Sequence, residues 1–182
     1  VRAMVNAGVR GPRSSSCAGR AVTLSDRPAI WSSSSTSSRN TSPVSHAKAI
    51  PVSAVQKIKT GQRGQAAMRS AINKALDLRG VTDPQARANW MKGYLVLTNR
   101  ESTYNGDAIN PDGLGATGAA QCKPATYAAY HQPGTTTNIL DPVSNIAASM
   151  NYVSDRYNER ADGANLAARV QQADPTRPPA GY

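Results

Sequence analysis

The chain has 182 residues, 39% hydrophobic and 5% aromatic, with a formal net charge of +10; this is enough for one domain with a core. Two cysteines (Cys17, Cys122) make no disulfide framework, and two separated histidines (His46, His131) have no metal-ligand spacing. No apolar run is long enough for a membrane span, and no signal peptide is visible.

The charge is unevenly spread. Residues 1–60 hold nine Lys/Arg against Asp26 alone, net +8, while residues 61–182 hold twelve basic and ten acidic groups, net +2. The basic third suits an anionic partner or a solvated tail, and both readings stay open. Without aromatic interleaving or a recognised motif, no specific nucleic-acid partner is expected. Residues 1–45 contain the tract Ser32–Ser38 and few large apolar groups, too little to offset the entropy of ordering. Residues 1–60 therefore read as a disordered, basic, Ser-rich segment or linker, with a short helical stretch near residues 52–59. A chain that begins at Val1 reads as a piece of a longer one.

From Gly64 the pattern is helical: Met68, Ala71, Ile72, Ala75 and Leu76 share a face, and Gly80 supplies the stop. Asp83-Pro84 then gives an N-cap followed by a proline at the first helical position. The helix it opens, 85–101, carries Trp90, Tyr94, Leu97 and Glu101 on one stripe, which reads as core and directs Glu101 inward. Residues 103–120 are rich in turn formers and read as a long loop. A short helix is expected over 123–131, and Asp141-Pro142 opens another to about 157, with Ile146, Met150, Val153 and Tyr157 inward. Asn145, Tyr152 and Arg156 lie off that face. The organisation expected is a helical domain over 61–165, with 166–182 as a Pro-rich tail, extended or docked on the surface.

Glu101 is one of two glutamates in the chain. A carboxyl at a helix end facing a Gly/Asn/Asp loop is partly desolvated yet able to reach a ligand, the setting of a general acid. Asp107 and Asp112 stand in the loop, in turn contexts where Asp is common for backbone reasons.

Taken in order, Glu101-Ser102, Ala108-Ile109-Asn110, Gly118-Ala119-Ala120-Gln121, Thr126–Tyr130 and the run Asp141–Tyr152 resemble the soluble-type lytic transglycosylase domain of the lysozyme superfamily. The resemblance covers roughly residues 66–160. The local sequence, with Tyr127–Gly134 and the Asp-Pro helix, is similar to copies in tail tape-measure proteins of actinobacterial phages. This resemblance implies a mainly α, lysozyme-like fold (an α+β superfamily) with a long active-site loop. It implies cleavage of the MurNAc-β-1,4-GlcNAc bond by Glu101 alone, giving a 1,6-anhydro product without metal or cofactor. Ser102 would orient Glu101 or a sugar acetamido group, and Tyr152 would hold Glu101 through its hydroxyl. Gln121 and Asn110 would line the saccharide cleft. Implied partners are peptidoglycan strands and other phage tail proteins, at the cell wall, outside the cell or in the virion. The family has Gly-Leu-Met-Gln where this chain has Gly118-Ala119-Ala120-Gln121. The smaller pair is expected to leave a roomier, wetter wall, with a lower Glu101 pKa and a slower reaction. Two alternatives remain: a muramidase that uses Asp107 or Asp112 to activate water, and a non-catalytic structural or wall-binding module.

Overall fold

Two aspartate–proline pairs start the two longest helices. In the computed structural model, which describes residues 46–111 and 115–182, Asp83 accepts a 2.7 Å hydrogen bond from Ala86 N and opens α2 (Pro84–Ser102). Asp141 does the same for Ser144 N at 2.9 Å and opens α4 (Pro142–Arg156). Each cap satisfies an amide that the first helical turn leaves without an intrahelical partner. The first helix, α1 (Gln65–Leu78), buries the five expected residues and ends at Gly80, whose φ of +67° suits the turn out of a helix. The short α3 (Pro124–Ala129) and α5 (Leu166–Arg169) complete the set, α5 being followed by a 3-10 turn, Gln171–Ala173. Among the described residues the only β pairing is in isolated bridges. The mainly α expectation therefore holds.

The core lies where α1, α2 and α4 meet, with Met68, Ile72, Leu76, Trp90, Tyr94, Leu97, Ile146 and Met150 fully buried. Arg79 is buried over the face of Trp90, 4.9 Å from the ring, and donates to Asn151 Oδ1 and Ser154 Oγ on α4.

Two boundaries differ from the sequence reading. The stretch 52–59 forms only a 3-10 turn, Val52–Ala54, and then runs extended. Gln56 N donates to Thr137 O at 3.0 Å, Ile139 N donates to Gln56 O at 2.9 Å, and the Asn138 side chain bonds both backbone groups of Ile58. A helix there would forfeit these pairings, and Val52, Val55 and Ile58 favour extended backbone. Residues 46–60 thus pack onto the domain through its 128–139 region.

At the other end, the stretch 166–182, read as a Pro-rich tail extended or docked on the surface, packs against the body, its first part entering the core. Leu166, Val170 and Ala173 are in the core. Gly93 of α2 makes this approach possible: a Cβ there would stand 2.4 Å from Leu166 Cδ2. The disorder expected of residues 1–45 falls outside the described residues, as do Cys17 and Asp112.

Candidate active site

The last turn of α2 delivers Glu101 and Ser102, and the chain then leaves the helix by a tight left-handed exit. Thr103 has φ 52° and ψ 44°, and Tyr104 follows with φ 58°. Their amides return to Asn99 O and Thr98 O, which satisfies two end carbonyls. Glu101 is half-buried, and its Oε1 accepts a 2.7 Å hydrogen bond from Gln172 Nε2. Burial pushes its carboxyl above the ordinary glutamate range, and the Gln172 bond offsets part of that rise. Its position at a helix C-terminus works in the same direction as burial, since end carbonyls disfavour negative charge there.

Ser102 Oγ does not reach Glu101. It lies 2.9 Å from both Thr98 O and Ala119 O, and accepts from Asn105 N at 3.2 Å. It therefore fastens the helix end to the loop at 117–121. That loop is held from the other side by Asn145, which is wholly buried on α4. Asn145 Oδ1 accepts from Ala120 N at 2.8 Å, while Nδ2 donates to Thr117 O at 3.0 Å and Ile139 O at 2.9 Å. Gly118 must be glycine here: its φ is +84°, and a Cβ would meet Asn145 Nδ2 at 2.5 Å and Ile139 O at 2.6 Å.

Gln121 follows with φ 48°, and its Nε2 donates to Gly118 O at 2.9 Å. It lines a cleft of about 210 Å³ together with Cys122, Lys123, Ser149, Tyr152 and Tyr182. Of the expected site residues, the structure brings Gln121 and Tyr152 to this cleft. Glu101 does not itself line the cleft; its charge adds to the raised pKa values of Cys122 and Tyr182, behind burial and, for Tyr182, behind Cys122 and Tyr94. Asn110 is exposed on the loop, its amide donating to Ala116 O at 2.9 Å, and does not border the cleft.

Tyr152 does not hold Glu101, as the resemblance implied; Gln172 does. The Tyr152 ring instead sits among Tyr130, Tyr157 and Tyr182, with centroids at 5.4, 6.1 and 6.2 Å and edge-on geometry. Ala120 of the small Ala119-Ala120 pair also borders the cleft. Both residues are buried, and Tyr182 donates to Ala120 O at 2.7 Å. The Tyr182 hydroxyl further lies 2.8 Å from Ser149 Oγ, itself 3.0 Å from the Tyr94 hydroxyl.

Residues 83–170 match the family model described as the transglycosylase SLT domain. This match supports a lytic transglycosylase domain over that stretch of the chain. The SLT domain is lysozyme-like in fold, and the match supports a peptidoglycan-cleaving function of the lytic transglycosylase type. An uncharacterized protein of Bacillus subtilis (strain 168), YqbO, is 35% identical over 75 residues, covering 38% of this chain and 5% of that protein. No solved structure matches the chain.

The SLT domain leaves Asp107 in a structural position. Its Oδ1 accepts from Thr60 N at 2.7 Å and its Oδ2 from Gly61 N at 2.8 Å, so it anchors the N-terminal arm. Burial alone would raise its pKa; the bonds from Thr60 and Gly61 and the charge of Arg63 outweigh this and lower it. Cys122 is a buried free thiol, pushed up to about 12 by burial. His131 is buried in its loop, its Nε2 placed between Thr136 O and Thr135 Oγ1. Among the described residues no three His, Cys, Asp or Glu side chains gather as a metal site, and no helix is long and apolar enough to cross a membrane.

Sequence reasoning missed Gln172, Asn145 and Tyr182. The latter two come from an amphipathic helix and a Pro-rich stretch that otherwise read as packing and surface. Gln172, in a Gln-Gln pair just past the family match, carries no sequence signal at all.

Proposed function

We propose that the SLT domain cleaves the β-1,4 bond between N-acetylmuramic acid and N-acetylglucosamine, with Glu101 as its single acid and base. The observation that carries this reading is the half-buried Glu101 carboxyl, raised in pKa by burial, on the helix end that Ser102 fastens to the loop whose Ala120 and Gln121 line the cleft. A pKa shifted upward toward the working pH is what a general acid needs. Protonated Glu101 donates to the glycosidic oxygen as the bond from muramoyl C1 breaks through an oxocarbenium-like state. The resulting carboxylate then takes the proton of the muramoyl 6-hydroxyl as that oxygen bonds to C1. The product is the 1,6-anhydro sugar, and the atoms balance without water, cofactor or second carboxylate. Gln121 and Tyr152 would contact the saccharide from the cleft wall, Asn110 would meet it from the exposed loop, and Ser102 keeps the loop in register with Glu101.

The hydrolytic alternative needs a second carboxylate to activate water. Asp107, with both oxygens engaged by backbone amides, is poorly suited to that task. The test is mass spectrometry of muropeptides released from purified peptidoglycan by the chain and by its Glu101→Gln variant. Fragments one water lighter than hydrolysis products, lost in the variant, are expected. Reducing-end products would support the muramidase reading, and no release by the folded parent would leave a wall-binding module.

The similarity of the motif run to tape-measure copies motivates a second proposal, that the domain serves local wall opening from a phage tail. Its presence in purified tail particles is the expected finding, and recovery only from the host cell envelope would sink this role.

A further inference from the structure

Arg100 and Glu101, neighbours on the last turn of α2, both grip the segment that follows α5. The Arg100 guanidinium donates to Gln171 O at 3.2 Å, Gln172 O at 3.4 Å and Arg177 O at 2.8 Å. Gln171 Nε2 adds a bond to Pro178 O at 3.0 Å. Within this clasp Gln172 is 5% exposed. Its amide has one possible orientation. Ala180 N can only donate, and it stands 3.0 Å from Gln172 Oε1, so that atom must be the oxygen. The other end, 2.7 Å from Glu101 Oε1, must then be the NH₂ group, which can only donate.

We propose that Gln172 is a positioning residue that keeps Glu101 Oε1 a permanent hydrogen-bond acceptor and so confines the acid proton to Oε2. Were Oε1 to carry the proton, its O–H would face the N–H of an amide that cannot turn over without stranding Ala180 N. A carboxyl with its proton on one oxygen presents it in one direction, as transfer to a fixed glycosidic oxygen requires. The same bond limits how far burial raises the Glu101 pKa, because it favours the ionised form. The catalytic part of this inference rests on Glu101 being the acid; the hydrogen bond itself does not.

The test exploits the presence of only two glutamates, Glu101 and Glu159. In the full chain labelled with ¹³Cδ-glutamate, Glu101→Gln assigns the two signals, and each carboxyl is titrated in the parent and in Gln172→Met. The methionine keeps the volume and removes the donor. The expected result is a Glu101 titration displaced to higher pH, with Glu159 unmoved. The alkaline limb of muropeptide release should move the same way, and kcat should fall about tenfold or more with KM little changed. An unmoved Glu101 titration overturns the proposal, whatever happens to activity. A displaced titration in a parent that releases no muropeptides upholds the proton's confinement and overturns the catalytic reading of Glu101. Should the methionine variant not fold, Gln172→Glu, of equal size, replaces it. If the contact exists, residues 101 and 172 then titrate as a coupled pair, one step well above the usual carboxylate range. Two independent ordinary titrations would refute it.

Discussion

Replacing Asn145 with alanine should unfasten the loop beneath the candidate site, and the size of the effect follows from its partners. Three hydrogen bonds of 2.8, 3.0 and 2.9 Å are lost, to Ala120 N, Thr117 O and Ile139 O. All three partner residues are at most 1% exposed, so water does not readily replace the amide. At a net contribution of about 1 kcal/mol per bond the loss is about 3 kcal/mol, and stranded buried groups raise it to about 3–5 kcal/mol. That is a large part of the roughly 5–15 kcal/mol that holds a typical domain folded. Urea unfolding of parent and variant measures the difference, and hydrogen exchange at the Ala120 amide shows whether the loop has opened. Asn145→Asp is the sharper comparison, since it keeps an acceptor for Ala120 N but turns an oxygen toward two carbonyls. It should cost at least as much at neutral pH and recover in acid, where the protonated carboxyl can donate to one of them. A loss under about 1 kcal/mol with unchanged Ala120 protection would refute the reasoning.

Three other perturbations separate structural from chemical roles. Asp107→Asn puts an NH₂ group against one of the two backbone amides it serves and should cost about 1–3 kcal/mol in urea midpoint measurements. Because its folded pKa is lowered, the contribution is complete above the ordinary aspartate range and vanishes as pH falls through the folded value. Muropeptide release per folded molecule should persist, and its loss would revive the muramidase reading. Glu101 has the opposite sign: its raised folded pKa means that ionisation works against the fold. Glu101→Gln should melt at or above the parent's temperature at neutral pH, with the difference closing near pH about 4; a lower melting temperature at neutral pH contradicts this. Gly93→Ala places a methyl 2.4 Å from Leu166 Cδ2 and should cost about 1–3 kcal/mol, with faster amide exchange over 166–173. Unchanged exchange there would show that α5 does not depend on the close approach.

What could be seen in the sequence was what local chemistry decides. Asp83-Pro84 and Asp141-Pro142 announce helix starts because cap and proline act on adjacent backbone, and both starts lie where expected. Glu101 stood out as a rare acid at the end of an apolar stripe, and its burial follows from Trp90, Tyr94 and Leu97 on the same face. Residues 52–59 were misread because their fate depends on residues 137–139, about 80 positions away. The bond to Glu101 went to Gln172 rather than Tyr152 for a similar reason: packing of Val170 and Ala173 against the core carries the glutamine there. The small pair Ala119-Ala120 gave no hint that Tyr182, read as a tail residue, bonds the Ala120 carbonyl.

The row of hydroxyls from Tyr94 through Ser149 and Tyr182 to the Ala120 carbonyl has a built-in direction. A carbonyl only accepts, so the Tyr182 proton must point at Ala120. The Tyr182 oxygen is then left to receive the Ser149 proton, and the Ser149 oxygen that of Tyr94. All three protons are aligned one way, and each bond polarises the next. None can turn alone, and reversing them together would leave the Ala120 carbonyl bare. The three hydroxyls therefore behave as one oriented dipole threaded through the core, and Tyr182 is the residue that sets its direction.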